Sequence, residues 1–147
     1  MAAPRIRRVV VGLDFSEAGH QALEAGADWA ARLGVPLELV HVLLEPPLVG
    51  SAEYPLPLPD PGWREEMERW ARAKLEAAAK AFPGASVRVA WGQPGDLLTA
   101  EGTPDTLLVL ARRGHGALTR FLFGSTASRA SAHAEGPVLL VGSGHRT

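Results

Sequence analysis

The stretch TLLVLARRG at residues 106–114, followed after nine further residues by GST at residues 124–126, carries the strongest indication of the fold. Its first five residues are apolar and partly β-branched, which predicts a short strand buried on both faces of a parallel sheet. Ser125 and Thr126 stand just ahead of an alanine-rich segment, residues 127–135, and predict hydroxyl caps at a helix start. Glycines and free backbone N–H groups at such a start favour anions, so an α/β protein would hold phosphate here.

The rest of the chain alternates strand-like and helix-like segments, the pattern of a parallel sheet with crossover helices. Ser16 is predicted to cap a first helix that Gly34 ends. A second helix is predicted from Trp63 to Phe82, with Trp63 and Trp70 on its core stripe, and Pro83-Gly84 stops it. The strands are predicted at residues 8–13, 36–44, 86–91, 106–110 and 138–141.

Two connections in this pattern are unusual. Residues 45–62 contain six prolines and predict a surface loop, because proline can neither continue a helix nor pair in a central strand. Residues 92–105 leave room for only one or two helical turns, at 96–101, so one face of the sheet is expected to be thinly covered. The element order favours a doubly wound sheet that binds ligands at the carboxyl ends of its central strands. Asp14, Val42 and residues 111–114 are expected along that edge.

Composition points to one domain, residues 1–147, without a polyanionic partner. The net charge of −1 gives no reason to expect nucleic acid, but residues 106–147 contain five arginines against Glu135 alone, which suits a small anionic ligand. Without cysteine there can be no disulfide, thiolate zinc site or cysteine nucleophile. The apolar runs fall far short of the ~20 residues that span a bilayer, and Asp14 interrupts any signal-peptide core. No membrane partner and a cytoplasmic location are therefore expected, and residues 142–147 are predicted to be disordered.

Several catalytic and phosphate-binding motifs are excluded or weak. A P-loop needs Gly-Lys before Ser or Thr, whereas the only lysines, Lys74 and Lys80, lie inside the second predicted helix. A dinucleotide fingerprint beginning at Gly114 has Thr119 in place of its third glycine, and no GxSxG elbow exists. The five histidines show no pair at metal-ligand spacing, and His41, within an apolar strand, is interpreted as structural.

The first strand with its terminal Asp14, the spacing from Gly114 to Gly124-Ser125, and the last strand after Gly136-Pro137 together resemble the universal stress proteins, of the small single-domain kind that often binds ATP. The resemblance covers nearly the whole chain. Where nucleotide-binding members begin the glycine motif with Gly, this chain has Ala111. The resemblance implies an α/β fold of the adenine nucleotide alpha hydrolase-like type. That fold is a doubly wound, five-stranded parallel sheet of order 3-2-1-4-5 with helices on both faces.

The same resemblance implies a site for ATP with Mg²⁺. Asp14 would take a ribose hydroxyl or a water on Mg²⁺, although a turn or helix-start role explains its position equally well. The implied contacts are Gly12, Leu13 and Asp14 after the first strand, the backbone of Val42 at the adenine, and Leu110, Ala111, Arg112, Arg113, Gly114, Gly124, Ser125 and Thr126 around ribose and phosphates. Arginine side chains fork onto phosphate oxygens or stay solvated, so the roles of Arg112 and Arg113 remain open.

Two functions of different classes follow. The first is a stress-response regulatory protein that binds ATP at the carboxyl edge of the sheet. The second is a nucleotide-independent interaction module of the same fold, favoured by Ala111 and by the short third crossover. The effect of Ala111 on nucleotide binding depends on its conformation. At negative φ alanine costs little, and at positive φ its backbone is strained. If its methyl group points into the site, it collides with the ligand.

Two further expectations concern assembly and catalysis. By its family resemblance the chain would form a homodimer through the last strand, Val138, Leu139, Leu140 and Val141, whose short uncharged edge would otherwise invite aggregation. The sequence presents no positioned general base, so at most slow ATP hydrolysis is expected.

Overall fold

The computed structural model describes residues 5–45, 61–112 and 117–142, with no account of the side chains of residues 117–124. These residues form one five-stranded parallel sheet in the order β3-β2-β1-β4-β5, which confirms the predicted topology. The elements in chain order are β1 (Arg8–Gly12), α1 (Glu17–Leu33), β2 (Leu37–Leu43), α2 (Trp63–Ala79), β3 (Ser86–Trp91), α3 (Pro94–Glu101), β4 (Thr106–Ala111), α4 (Ala117–His133) and β5 (Val138–Val141).

Strand β1 lies at the centre of the sheet and is covered on both faces. Its residues Val9, Val10 and Val11 are completely buried, which accounts for an uninterrupted valine run where a half-exposed strand would alternate. On one face α1 and α2 cover a core that contains Val9, Val11, Leu23, Leu39, Leu75 and Val109. On the other face the core contains Val10, Val40, Leu98, Leu108, Leu110 and Ala130, beneath α3 and α4.

Helix α1 begins and ends where the sequence predicts. The Ser16 hydroxyl oxygen accepts a hydrogen bond from the Gly19 N–H at 3.0 Å, and Gly34 ends the helix in the left-handed conformation, with φ 66°. Gly26 lets the helix approach the sheet closely, because a Cβ there would run into the Val11 side chain. This close contact places α1 directly over β1 and β4.

The third crossover is as short as predicted, and charged side chains complete the cover that it leaves incomplete. Helix α3 spans eight residues. Beyond it, Glu38 and Glu101 accept from Arg88 and lie near Arg8, with 2.9 Å between Arg88 Nη2 and Glu38 Oε1 and 3.2 Å between Arg8 Nη2 and Glu101 Oε2. The hydrogen bond to Glu101 is the main cause that raises the pKa of Arg88. Ion pairs thus replace apolar cover at this end of the sheet.

Three predictions need correction. Helix α4 starts at Ala117, so Ser125 and Thr126 lie inside it and are not its caps; the segment ALTRFLF at residues 117–123 consists of helix-compatible residues, and one glycine after it does not stop the helix. Trp70 is not a core residue, since 46% of it is exposed. Strand ends also shift by one residue, with β1 ending at Gly12 and β4 extending to Ala111.

Some predictions concern residues outside the described ranges. These are most of the proline-rich segment, the pair Arg113-Gly114 and residues 143–147 of the tail. No described helix is long and apolar enough to cross a membrane.

Candidate functional site

The carboxyl edge of the sheet brings together the residues that follow β1 and β4. The Leu13 N–H donates to the Val40 carbonyl at 2.8 Å, which continues the β1–β2 pairing past Gly12 and holds the chain at the edge. Leu13 and Val42 are both buried. The site residues predicted after β1 are therefore next to one another and next to β2.

Asp14 is the most distinctive side chain at this edge. Its Oδ1 atom accepts two hydrogen bonds from Ser16, from the N–H at 3.0 Å and from the hydroxyl at 2.5 Å. Its Oδ2 atom is buried and has no hydrogen-bond partner among the described residues. Leaving a buried carboxylate oxygen unpaired is unfavourable, so this oxygen suits a donor from a ligand or a bound water.

Gly19 makes this arrangement of Asp14 possible. A Cβ at position 19 would stand 2.6 Å from Asp14 Oδ1 and 3.4 Å from Ser16 Oγ. Any larger residue would therefore push the carboxylate away from the first turn of α1. The roles of Ser16 and Gly19 as supports of Asp14 were not predicted from the sequence, although an acidic residue two positions before a helix N-cap is the signal that could have indicated them.

Three aromatic rings, those of Phe15, His41 and Trp70, pack against one another at the Asp14 turn. Phe15 has φ 64°, a left-handed conformation that a bulky residue seldom adopts, and its ring lies 4.4 Å from that of His41. The Trp70 ring meets Phe15 edge-on, with 5.6 Å between centroids. The rings hold the turn against α2, so Trp70 packs on this cluster rather than in the core.

His41 supports the same turn from β2. Its Nδ1 atom is 2.6 Å from the Leu13 carbonyl oxygen, so the hydrogen belongs on Nδ1. Burial lowers the pKa of His41, while the hydrogen bond to Leu13 and the charge of Asp14 raise it to a smaller extent. A neutral, hydrogen-bonded imidazole agrees with the structural role interpreted from the sequence.

Apolar side chains fill the space beside Gly12 on the α3 and α4 face. A Cβ at Gly12 would lie 2.7 Å from Leu110 Cδ2 and 2.8 Å from Leu98 Cδ1. Leu98, Leu110 and Val42 belong to one buried cluster. Two predicted contact residues, Val42 and Leu110, therefore contribute apolar surface to the core beneath the edge.

Ala111 ends β4 without strain. Phe15 is the only described residue other than glycine with positive φ, so Ala111 lies outside the left-handed region, paired with Val141 of β5. Ala111 is fully buried and belongs to the cluster under α1 that contains Val9 and Val109. Its methyl group thus points to the face opposite to Leu98 and Leu110, and replacement of glycine neither strains the backbone nor fills the space on that other face.

Arg112 continues from Ala111 at the surface. Its N–H donates to the Val141 carbonyl at 2.8 Å, and its guanidinium lies against Gly142 after β5. The side chain is exposed at the edge. An arginine in this position can turn towards an anion bound at the carboxyl ends of the strands.

Ser125 and Thr126 lie at a groove between α3 and α4. Thr126 is buried and packs near Gly95, while Ser125 is exposed. The groove has a volume of about 450 Å³ and is lined by Gln93, Pro94, Gly95, Asp96, Ser125, Thr126, Ser128, Arg129, Ala132 and His133. Arg129 Nη2 pairs with Asp96 Oδ1 there at 2.7 Å. The two hydroxyl residues are thus placed beside the start of α3, and the prediction that they contact phosphate stays a prediction.

The fold defines a class, the doubly wound α/β proteins, with the strand order reversing between β1 and β4. The chain belongs to the universal stress protein family, whose sequence pattern matches residues 5–142.

Individual relatives agree with this assignment. A universal stress protein of Mycolicibacterium smegmatis is 34% identical over 139 residues, which cover 90% of this chain and 45% of that protein. The chain spans about half the length of the curated relatives it matches.

Solved structures agree on the fold. The hypothetical protein MJ0577 has a TM-score of 0.71 and 20% identity, with 96% of this chain and 97% of that chain covered. A universal stress protein solved in complex with cAMP has a TM-score of 0.57 and 23% identity, with 95% and 98% covered.

Proposed function

We propose that this chain binds an adenine nucleotide, ATP with Mg²⁺, at the carboxyl edge of its sheet, and acts as a regulatory protein of a stress response. The observation that carries the proposal is the buried Asp14 Oδ2 atom without a hydrogen-bond partner among the described residues. A ribose hydroxyl, or a water held by Mg²⁺, would supply the missing donor. The other carboxylate oxygen is already engaged by Ser16, so the free oxygen has a defined direction.

The β4 side of the edge supports an anionic ligand. Ala111 lies outside the left-handed region and buries its methyl group under α1, so the departure from the family's glycine adds no backbone strain at the β4 end of the edge. Arg112 stands exposed beside it, where a guanidinium would bind phosphate oxygens. The solved relative named for its complex with cAMP adds a precedent for adenine nucleotides on this fold.

The residues fit Mg²⁺ only as part of a nucleotide complex. Within residues 5–45, 61–112 and 117–142, no three His, Asp or Glu side chains come together as metal ligands. Phosphate oxygens would therefore supply most of the coordination, with Asp14 acting through water. The proposal includes at most slow hydrolysis of ATP, because groups that bind phosphate do not by themselves lower the barrier to its transfer.

A homodimer through β5 is the second part of the proposal, and by itself it is the alternative function. Strand β4 reaches β5 through the Pro137 and Val141 carbonyls, which accept from Leu108 and Arg112 at 3.1 and 2.8 Å. Successive strand residues direct their backbone groups to opposite sides, so the N–H and C=O groups of Val138 and Leu140 point away from β4. Those groups at the edge of the described sheet would pair with the same groups of a second copy.

Two observations favour the nucleotide-independent alternative. Leu98 and Leu110 fill the space next to Gly12, and the groove between α3 and α4 adjoins Ser125 rather than Asp14. In that form of the proposal the chain acts through its dimer alone.

Calorimetric titration separates the two forms of the proposal. Nucleotide-stripped protein is titrated with ATP-Mg²⁺ and, separately, with AMP at two temperatures, so that a chance zero in the enthalpy is not misread. We expect micromolar binding of ATP and weaker binding of AMP. An absence of heat at millimolar ATP at both temperatures would leave the dimeric interaction module as the function.

The Asp14→Asn variant tests the site assignment within the same experiment. It keeps the shape of the side chain and removes the charge, so we expect ATP affinity to fall by about tenfold or more. Asp28→Asn is the matched control, because Asp28 forms an exposed ion pair with Arg32 on the outside of α1. If both variants bind ATP like the wild type while remaining folded, Asp14 is not part of the site.

A further inference from the structure

Helix α1 exposes two large apolar side chains near its carboxyl end. Trp29 is 43% exposed and Leu33 is 42% exposed. They are four residues apart and so lie on the same side of the helix, one turn from each other. Asp28 and Arg32, which precede Trp29 and Leu33 in the sequence, pair with each other at 2.9 Å.

The position of Trp29 around the helix axis tells which way it points. Ala27 and Ala31 line a groove shared with Phe82 and Ala85 at the carboxyl end of α2, and α2 packs on β2 and β3. At 100° per residue, Trp29 lies about 200° from Ala27 around α1. Trp29 is therefore on the flank turned away from α2, towards β4 and β5.

The position of Trp29 along the helix places it beside β5. Gly26 faces Val11 and Val109, and Val109 is paired with Leu139 in the middle of β5. Three residues further along α1 amount to about 4.5 Å towards the amino ends of the strands. Trp29 is thus level with the start of β5, at Val138, and not beyond the end of that strand.

A β5-paired dimer would leave an open channel next to this flank. Helix α1 lies over β1 and β4, so pairing of two β5 edges separates the two α1 axes by four strand spacings, about 19 Å. Packed helices are only about 8–10 Å apart. The channel between the helices would have Leu139 and Val141 of both copies as its floor, because these two side chains face the α1 layer.

Strand pairing alone is too small to account for a stable dimer. Strand β5 has four residues, of which two direct their backbone groups outward. Stable interfaces bury roughly 1,200–2,000 Å² in total, far more than one pair of four-residue strands provides. A second layer of apolar contact is needed, and Trp29 is an exposed large side chain beside the channel.

We propose that Trp29 is the anchor of the homodimer interface, filling the channel above the paired β5 strands and packing against the α1 flank of a second copy of this chain. The inference rests on the proposed β5 homodimer. Because a two-fold axis reverses the second helix, Trp29 meets the central part of that helix, where the same flank has the small side chain of Ala25. A large residue facing a small one gives the interdigitated packing of a buried interface.

Sedimentation over a range of protein concentrations tests the proposal in the full chain. We expect Trp29→Ala to raise the dimer dissociation constant by about tenfold or more, which corresponds to the burial of one large side chain. Trp70→Ala is the matched control, because Trp70 is 46% exposed on α2 and packs beside β2, away from the β5 edge. We expect its dissociation constant to stay within about twofold of the wild type.

The Ala25→Arg variant tests the same interface from the opposing helix, so the role of Trp29 can still be judged if the Trp29→Ala protein does not fold. It places a charge on the opposing wall of the channel at a half-buried position, and we expect it to weaken the dimer as well. A wild-type dimer that neither Trp29→Ala nor Ala25→Arg weakens overturns the role of Trp29 and leaves β5 pairing intact. Leu140→Pro removes an N–H that points outward from β5. If this variant also leaves the dimer intact, the β5 homodimer itself is overturned. A wild-type protein that is monomeric at all concentrations has the same consequence.

Discussion

The segment that follows β1 and the segment that follows β4 reach the same edge of the sheet by different means. After β1, three consecutive residues are held by side chains: the Leu13 carbonyl accepts from His41, Asp14 accepts from Ser16, and the Phe15 ring packs on that of His41. After β4, the described chain is held by the backbone, through the hydrogen bond from Arg112 to Val141. The first segment is a turn that side-chain contacts hold in place, whereas the second continues the backbone hydrogen bonding of the sheet.

The difference teaches where ligand specificity can come from in this fold. A turn held by its own side chains keeps a carboxylate in one direction before any ligand arrives, and a preorganised group contributes more to affinity than a free one. Backbone pairing at the end of β4 leaves the Arg112 side chain exposed at the same edge. We therefore expect the β1 segment to set the position of a ligand and the β4 segment to accommodate its anionic part.

Gly19→Ala is the substitution with the largest expected effect on this comparison. The added Cβ would stand 2.6 Å from Asp14 Oδ1, so the carboxylate, its bonds to Ser16 and the first turn of α1 must shift. We expect a loss of about 1–3 kcal/mol in the free energy of unfolding, as for other overpacked sites, measured by urea denaturation. ATP affinity should fall together with stability.

Gly62→Ala is the control for Gly19→Ala. Gly62 precedes α2, has φ −85°, and a Cβ there meets nothing within 4 Å. The free energy of unfolding of the Gly62→Ala variant should stay within about 0.5 kcal/mol of the wild type. Equal stability of Gly19→Ala and Gly62→Ala would mean that the Asp14 turn is not held as described.

The lowered pKa of His41 predicts a smaller effect on the free energy of unfolding, which is confined to a narrow range of pH. Burial lowers its pKa in the folded protein below the ordinary value of 6.5. As the pH falls below 6.5, the unfolded chain takes up this proton before the folded protein does, so stability decreases until the folded pKa is reached and then stops changing. Urea denaturation between pH 7.5 and 5 should show this decrease.

His41→Gln should lose less stability over the same range, since the amide can still donate to Leu13 but does not titrate. His20→Gln serves as the comparison variant, because the His20 side chain is 61% exposed on α1. A wild-type profile identical to that of His41→Gln would show that the imidazole does not couple folding to pH.

The sheet was predictable from sequence because strand signals here are local and strong. Uninterrupted apolar runs such as Val9–Val10–Val11 predict strands with two buried faces, and the alternation with helices leads to the parallel order that is observed. Ser16 and Gly34 predicted both ends of α1 correctly, because helix caps also depend only on residues that are close in the sequence.

Contacts between distant residues were not predictable in this way. The helical periodicity that placed Trp70 on the core stripe says nothing of Phe15 and His41, which lie far away in the chain and draw the indole to the edge. Ser125 and Thr126 have the chemistry of caps, yet residues 117–123 are equally able to form helix, so propensity alone could not choose the start of α4.

Ala111→Gly has the smallest expected effect on ATP affinity and tests the β4 segment directly. Restoring the family's glycine removes a methyl group that is buried under α1, and glycine within a strand is less favourable than alanine, so the free energy of unfolding should fall by about 1–2 kcal/mol. ATP affinity should stay within about twofold of the wild type, because the methyl group is buried in the cluster under α1 and Ala111 has no backbone strain for glycine to relieve. Titration of both proteins with ATP-Mg²⁺ provides the measurement, with urea denaturation alongside. A tenfold gain in affinity would instead place the alanine methyl group against the nucleotide and make the β4 segment, not Asp14, the element that limits binding.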